Sequence, residues 1–113
     1  MTRRRVEGFF REEPRPRDLI TLCRTELFAE EIWLFGSRAR GDHRPDSDWD
    51  ILVVVRDDAP EEVLEPMNTY RIRRRSGVNC DLLAAKKADF EDAKDVVTTL
   101  SYAVKREGIR LDR

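Results

Sequence analysis

The chain has 113 residues, 22 of them basic and 23 acidic, with 40% charged and 40% hydrophobic side chains and a net charge of -1. That length suits one compact domain and excludes large processive machinery, while no apolar run approaches the roughly 18 residues needed to span a bilayer. Met1-Thr2-Arg3-Arg4-Arg5 leads into charged sequence, not into the apolar stretch of a signal peptide, so a cytoplasmic location with no membrane partner is expected.

Residues 1–17 carry six arginines against three glutamates, and Pro14 and Pro16 discourage regular structure, so a basic, flexible arm is expected ahead of a single domain over 18–113. Leu19, Leu22, Cys23 and Leu27 recur at helical spacing and predict an amphipathic helix from Asp18 to about Glu30. Ile32 to Phe35 is short, apolar and stopped by Gly36, as a buried strand entering a tight turn would be. Trp49-Asp50-Ile51-Leu52-Val53-Val54-Val55 is apolar on both faces beyond Asp50, which marks an interior strand. A helix is predicted from about Pro66 to Arg75, closed by Ser76-Gly77, and a third strand from Val78 to Ala84. Asp89 opens a last helix whose Ala93, Val96, Val97, Leu100 and Val104 would share one face, with Gly108 as its stop. The alternation predicts an α/β (α+β) domain, a small sheet flanked by helices.

Cys23 and Cys80 read as small buried apolar residues in a reducing compartment. With His43 as the one histidine, neither a Cys/His zinc site nor a multi-histidine site can be assembled. No G-x-S-x-G turn supports a serine triad through His43, which reads as a solvated loop residue. Arg3-Arg4-Arg5 and Arg71 with Arg73-Arg74-Arg75 read as solvated surface, balancing the nine acids and two arginines between Asp42 and Glu65. Nucleic acid is not expected as a partner.

The chemistry lies in Gly36-Ser37-Arg38-Ala39-Arg40-Gly41 and, after a short loop, Ser47-Asp48-Trp49-Asp50. Gly36 lets the backbone turn sharply at a strand end, and amides at the start of the helix that follows favour an anion such as phosphate. Ser37 adds a hydroxyl. Arg38 and Arg40 stand open between phosphate contact and surface ion pairing, Arg40 with Asp42 or Asp46 as candidate partners. Asp48 and Asp50 emerge on one strand face and Trp49 on the other, toward the core. Asn79, Asp81 and Leu83 likewise share a face of the third strand, and if the two strands are close, three carboxylates converge. Two bare carboxylates about 4 Å apart repel by about 4 kcal/mol at an effective dielectric of 20, which calls for a cation. Hard oxygen donors point to magnesium or manganese, and a phosphate cradle beside such a site points to phosphoryl or nucleotidyl transfer.

Gly-Ser, ten residues, then Asp-x-Asp resembles the signature of the DNA polymerase beta-like nucleotidyltransferase superfamily. GSRARG followed by SDWDILVVV is similar to its minimal nucleotidyltransferase (MNT) branch, small proteins often encoded with a HEPN-domain partner in toxin-antitoxin pairs. The similarity runs from about Ile32 to Leu83 and extends weakly to Lys105-Arg106-Glu107-Gly108-Ile109; residues 1–17 have no counterpart. The resemblance implies that Gly36 and Ser37 hold the terminal phosphates of ATP or another NTP, and that Asp48 and Asp50 bind two Mg2+ ions, or Mn2+. Asp81 matches the third carboxylate, which binds the catalytic ion and helps deprotonate the attacking hydroxyl. It further implies transfer of AMP to a hydroxyl of a HEPN-type partner protein by an antitoxin. Two other readings stay open: a module that neutralises its partner by docking alone, and a small-molecule nucleotidyltransferase whose acceptor pocket a separate subunit or a homodimer completes.

Overall fold

A computed structural model describes residues 2–12 and 15–113, with side chains from residue 6 to 11 and from 15 onward. In chain order its elements are α1 (Thr2–Phe9), a 3-10 turn (Phe10–Glu12), α2 (Arg15–Glu26), β1 (Ala29–Phe35), α3 (Ser37–Arg40) and β2 (Trp49–Val55). A second 3-10 turn (Glu61–Leu64), α4 (Pro66–Ser76), β3 (Cys80–Lys86), α5 (Lys87–Ala93), α6 (Leu100–Glu107) and β4 (Ile109–Arg110) follow. The four strands form one mixed sheet in the order β3-β2-β1-β4. Pairing is antiparallel between β1 and both β2 and β4, and parallel between β2 and β3. This is the mixed α/β architecture expected from the alternation of elements.

β2 has neighbours on both sides, and Ile51 to Val55 are all buried, which is why its sequence is a continuous apolar run. Its alternate residues feed two cores. Ile51, Val53 and Val55 pack with Leu19, Ile20 and Cys23 of α2 and Ile72 of α4 on one face of the sheet. Leu52 and Val54 pack with Trp33, Phe90 of α5 and Val104 of α6 on the other. Buried Glu31 accepts a hydrogen bond from Trp33 Nε1 at 3.0 Å and pairs with Lys87 and Arg110, tying α5 and β4 to β1. Cys23 and Cys80 are buried free thiols, and burial pushes both up to about 12. No helix among the described residues is long and apolar enough to cross a membrane.

Two expectations need correction. The segment expected to be a flexible arm is helical where it is described, and α2 begins at Arg15, not Asp18. The physical reason is apolar: Phe9 is 3% exposed, stacks edge-on against Phe10 and Trp49 at 5.0 and 5.2 Å, and belongs to the larger core. Pro16 falls in the first turn of α2, where proline is tolerated. Pro14 and the Arg3-Arg4-Arg5 side chains lie outside the described residues.

The expected last helix is two helices. Thr99 caps α6, its Oγ1 accepting from Tyr102 N at 3.1 Å and lying 2.7 Å from the Ala93 carbonyl that receives its proton. A β-branched run, Val96-Val97-Thr98-Thr99, favours such a break. Val97 is thereby 72% exposed instead of buried, and of the face expected for that helix Val104 alone is buried. Gly108 ends α6 as expected, and Ile109 and Arg110 beyond it form an edge strand against Leu34 and Trp33.

Since α1 anchors through Phe9, Phe9→Ala should destabilise the domain by about 3 kcal/mol, read as a lower urea midpoint. A truly loose arm would leave the midpoint unchanged.

Candidate active site

β2 and β3 run parallel with Asp50 opposite Asp81 and Trp49 opposite Cys80. Side chains of directly paired residues emerge on the same side of a sheet, so Asp50 and Asp81 lie together on the face that carries α5 and α6. One rung earlier Asp48 faces Asn79, whose Nδ2 donates to Asp48 Oδ1 at 2.7 Å. Trp49 N donates to Asn79 O at 3.2 Å and extends the ladder to this rung. Asp48, Asn79 and Asp81 are exposed and Asp50 is half-buried.

Gly36 has φ 74° and ψ -158°, a region open essentially to glycine alone. A β-carbon there would lie on the Asp50 carboxylate, 3.1 Å from its Cγ. The turn out of β1 is thus fitted against Asp50, which follows from the pairing of Phe35 with Asp50. Ser37 opens α3; Ala39 N and Arg40 N return to Gly36 O at 3.1 and 3.0 Å, while the first amides of a helix have no partner within it.

Burial holds the Asp50 carboxyl above the ordinary aspartate range, with the charges of Asp81 and then Asp48 adding to the effect and Arg40 opposing it. The three carboxylates therefore interact, although as placed no group of three Asp, Glu, His or Cys side chains among the described residues closes into a ready-made metal site. Asp48 accepts from Asn79 through Oδ1 alone. The donor chemistry still fits a hard divalent cation: three carboxylates on one sheet face, no thiolate or imidazole among them, and one of them held up by burial and then by its neighbours' negative charge.

The two arginines separate. Arg38 Nε and Nη2 donate to Ser47 O at 3.0 and 2.8 Å, Nη2 also to Pro45 O at 3.1 Å, and the guanidinium lies 4.3 Å from the Trp49 ring centre. It braces the 41–48 loop on the side of β2 away from the carboxylates, beside a cavity of about 360 Å³ lined by Phe9, Arg11, Arg15, Trp49 and Asn79 among others. Arg40 is close enough to act on Asp50 but pairs with Asp42 at 3.1 Å and Glu107 at 3.0 Å. His43 is exposed in the loop. Asn79, noted in the sequence for its face but given no role, is the addition the geometry makes. Its signal was the Asn79-x-Asp81 spacing, which repeats Asp48-x-Asp50 on the neighbouring strand.

A glycine-bounded turn and paired carboxylates on adjacent strands define a class, and comparison with known proteins agrees. The family model of the nucleotidyltransferase domain matches residues 17–106. The chain belongs to the nucleotidyltransferase domain family, as the resemblance to its minimal branch implied. A crystal structure of a candidate nucleotidyltransferase from Sulfolobus solfataricus is 22% identical, with a TM-score of 0.58 over 94% of this chain and 84% of the other. A toxin-antitoxin structure with AMP-PNP is 23% identical, with a TM-score of 0.56 over 84% of this chain and 70% of the other. At these identities the likeness is one of fold. Among curated proteins, none matches the chain.

Gly36→Ala should cost about 1–3 kcal/mol of stability from backbone strain, seen in urea unfolding. Asp50→Asn should act oppositely. A carboxyl held above its unfolded value favours folding while protonated and loses that advantage as pH rises through the raised value. The asparagine variant should therefore melt higher than the native chain at pH 7, with the gap closing below about pH 3.9, the ordinary aspartate value. A gap independent of pH would contradict this account of Asp50.

Proposed function

We propose that the chain is a magnesium-dependent nucleotidyltransferase that moves AMP from ATP onto a hydroxyl of a partner protein of the HEPN type, and so acts as an antitoxin. The observation that carries the chemistry is the rung on which Asp50 meets Asp81, with the Gly36 turn closed against it. The likeness to a toxin-antitoxin structure with AMP-PNP supports an adenine nucleotide and a protein partner, and the MNT resemblance supports the HEPN type.

In this reading Gly36 and Ser37 receive the terminal phosphates at the start of α3, where open amides face the anion. Asp48, Asp50 and Asp81 would hold two divalent ions, Mg2+ or Mn2+, which would supply positive charge to the transferring group and the leaving pyrophosphate. Asp81 takes the proton of the acceptor hydroxyl. The acceptor oxygen then attacks the α-phosphorus in line, the bond to the bridging oxygen breaks, and pyrophosphate departs. Arg38 has the bracing role described above, and Arg40 supplies positive charge near Asp50 from its ion pairs.

The test is incubation with α-labelled ATP, magnesium and the product of the adjacent gene. Label should pass to the partner, and Asp50→Asn should reduce the rate about 100-fold or more even though it raises the melting temperature. No transfer with any nucleotide or divalent ion would sink the catalytic reading. Neutralisation of the partner by Asp48→Ala and Asp50→Ala chains as effective as the native one would leave docking as the function.

A further inference from the structure

We infer that Asn79 is a positioning residue for the cation site, holding Asp48 by one carboxylate oxygen so that the other is presented to the ion; this rests on the proposed function above. The parallel ladder places four polar side chains at the corners of one patch. Two residues along a strand span about 6.6 Å and neighbouring strands lie about 4.8 Å apart. Asp48 and Asp50 occupy the corners on β2, and Asn79 and Asp81 those on β3 and its entry. Three corners are carboxylates, and the fourth is a neutral carboxamide.

The identity of that fourth group matters. Asp48 lies just ahead of β2, at the end of the 41–48 loop, and is exposed, so a hydrogen-bond partner is what sets the direction of its carboxylate. An ionised carboxylate only accepts hydrogen bonds, so the 2.7 Å contact from Asn79 Nδ2 to Asp48 Oδ1 is a charge-assisted donation that fixes the carboxylate plane. It leaves Asp48 Oδ2 unclaimed among the hydrogen bonds of the described residues. An aspartate at position 79 would add a fourth negative charge, and a lysine would replace the cation's own attraction. The carboxamide orients without doing either. Asn79 is itself anchored through its carbonyl, which accepts from Trp49 N, the residue between the two acids. Partners of this kind, one step removed from the ion, are commonly worth 10–100-fold in metal affinity.

The full-length chain is titrated with Mn2+ alone, free ion being read by its paramagnetic resonance signal, in native, Asn79→Leu, Asn79→Ala and Asp48→Ala forms. Both Asn79 variants should weaken Mn2+ binding about 10–100-fold at an unchanged melting temperature, because the side chain is exposed. In label transfer their rate should recover as magnesium is raised, with kcat close to native and the apparent constant for magnesium increased. Native-like Mn2+ affinity in both variants, with Asp48→Ala impaired, would overturn the role of Asn79 and leave the site standing. Native-like affinity in Asp48→Ala as well would instead remove the cation site itself.

Discussion

Two adjacent strands that run parallel cannot be joined by a hairpin; the chain must leave the sheet and cross back before it can lay down the second strand. Here the crossover is the segment from Arg56 to Asn79, with α4 as its body, and it packs against α2 on one face. The opposite face is left to α5 and α6, whose Phe90 and Val104 cover Leu52 and Val54 but stop short of the entry ends of β2 and β3. The carboxylates sit at those uncovered ends. The side of the sheet on which the crossover runs thus decides which face is left open at these ends, and the in-register pairing of Asp50 with Asp81 decides which groups lie there.

That arrangement works against the stability of the domain. Asp50 is carried into a half-buried position beside two like charges, and Gly36 gives up a side chain in a region few residues can enter. The counterweight is directly behind the acids. Ile51 to Val55 are all buried between two cores, and full burial of each such side chain contributes about 1.5–3 kcal/mol. The buried strand therefore offsets both costs, which fall at its less buried end.

What could be read from the sequence was what a continuous apolar run or a glycine stop announces by itself. β2 was legible to the residue, and with it the shared face of Asp48 and Asp50 and the inward direction of Trp49. The closing elements were not, because the apolar pattern from Ala93 to Val104 fits a helix while the β-branched run and the Thr99 cap divide it. The amino-terminal helix was hidden for another reason. Its composition is that of a solvated arm, and only contact with Trp49, invisible in local sequence, shows that Phe9 belongs to the core. Arg38 and Arg40 looked alike in the motif, yet one braces a loop by three carbonyl contacts and the other sits between two acids.

The alternation of β2 imposes a parity on Asp48-Trp49-Asp50. Trp49, between the two acids, rests on Phe9 and under Arg38, while Asp48 and Asp50 face the other way. A shift of the strand by one residue would send both acids toward the aromatic core and lift the indole into the nucleotide face; a shift by two would restore the faces with new neighbours. The loop from Gly41 to Ser47 delivers the chain to β2 and is held there by Arg38 through the Pro45 and Ser47 carbonyls. One residue gained or lost inside Asp48-Trp49-Asp50 would put the two acids on opposite faces of the strand.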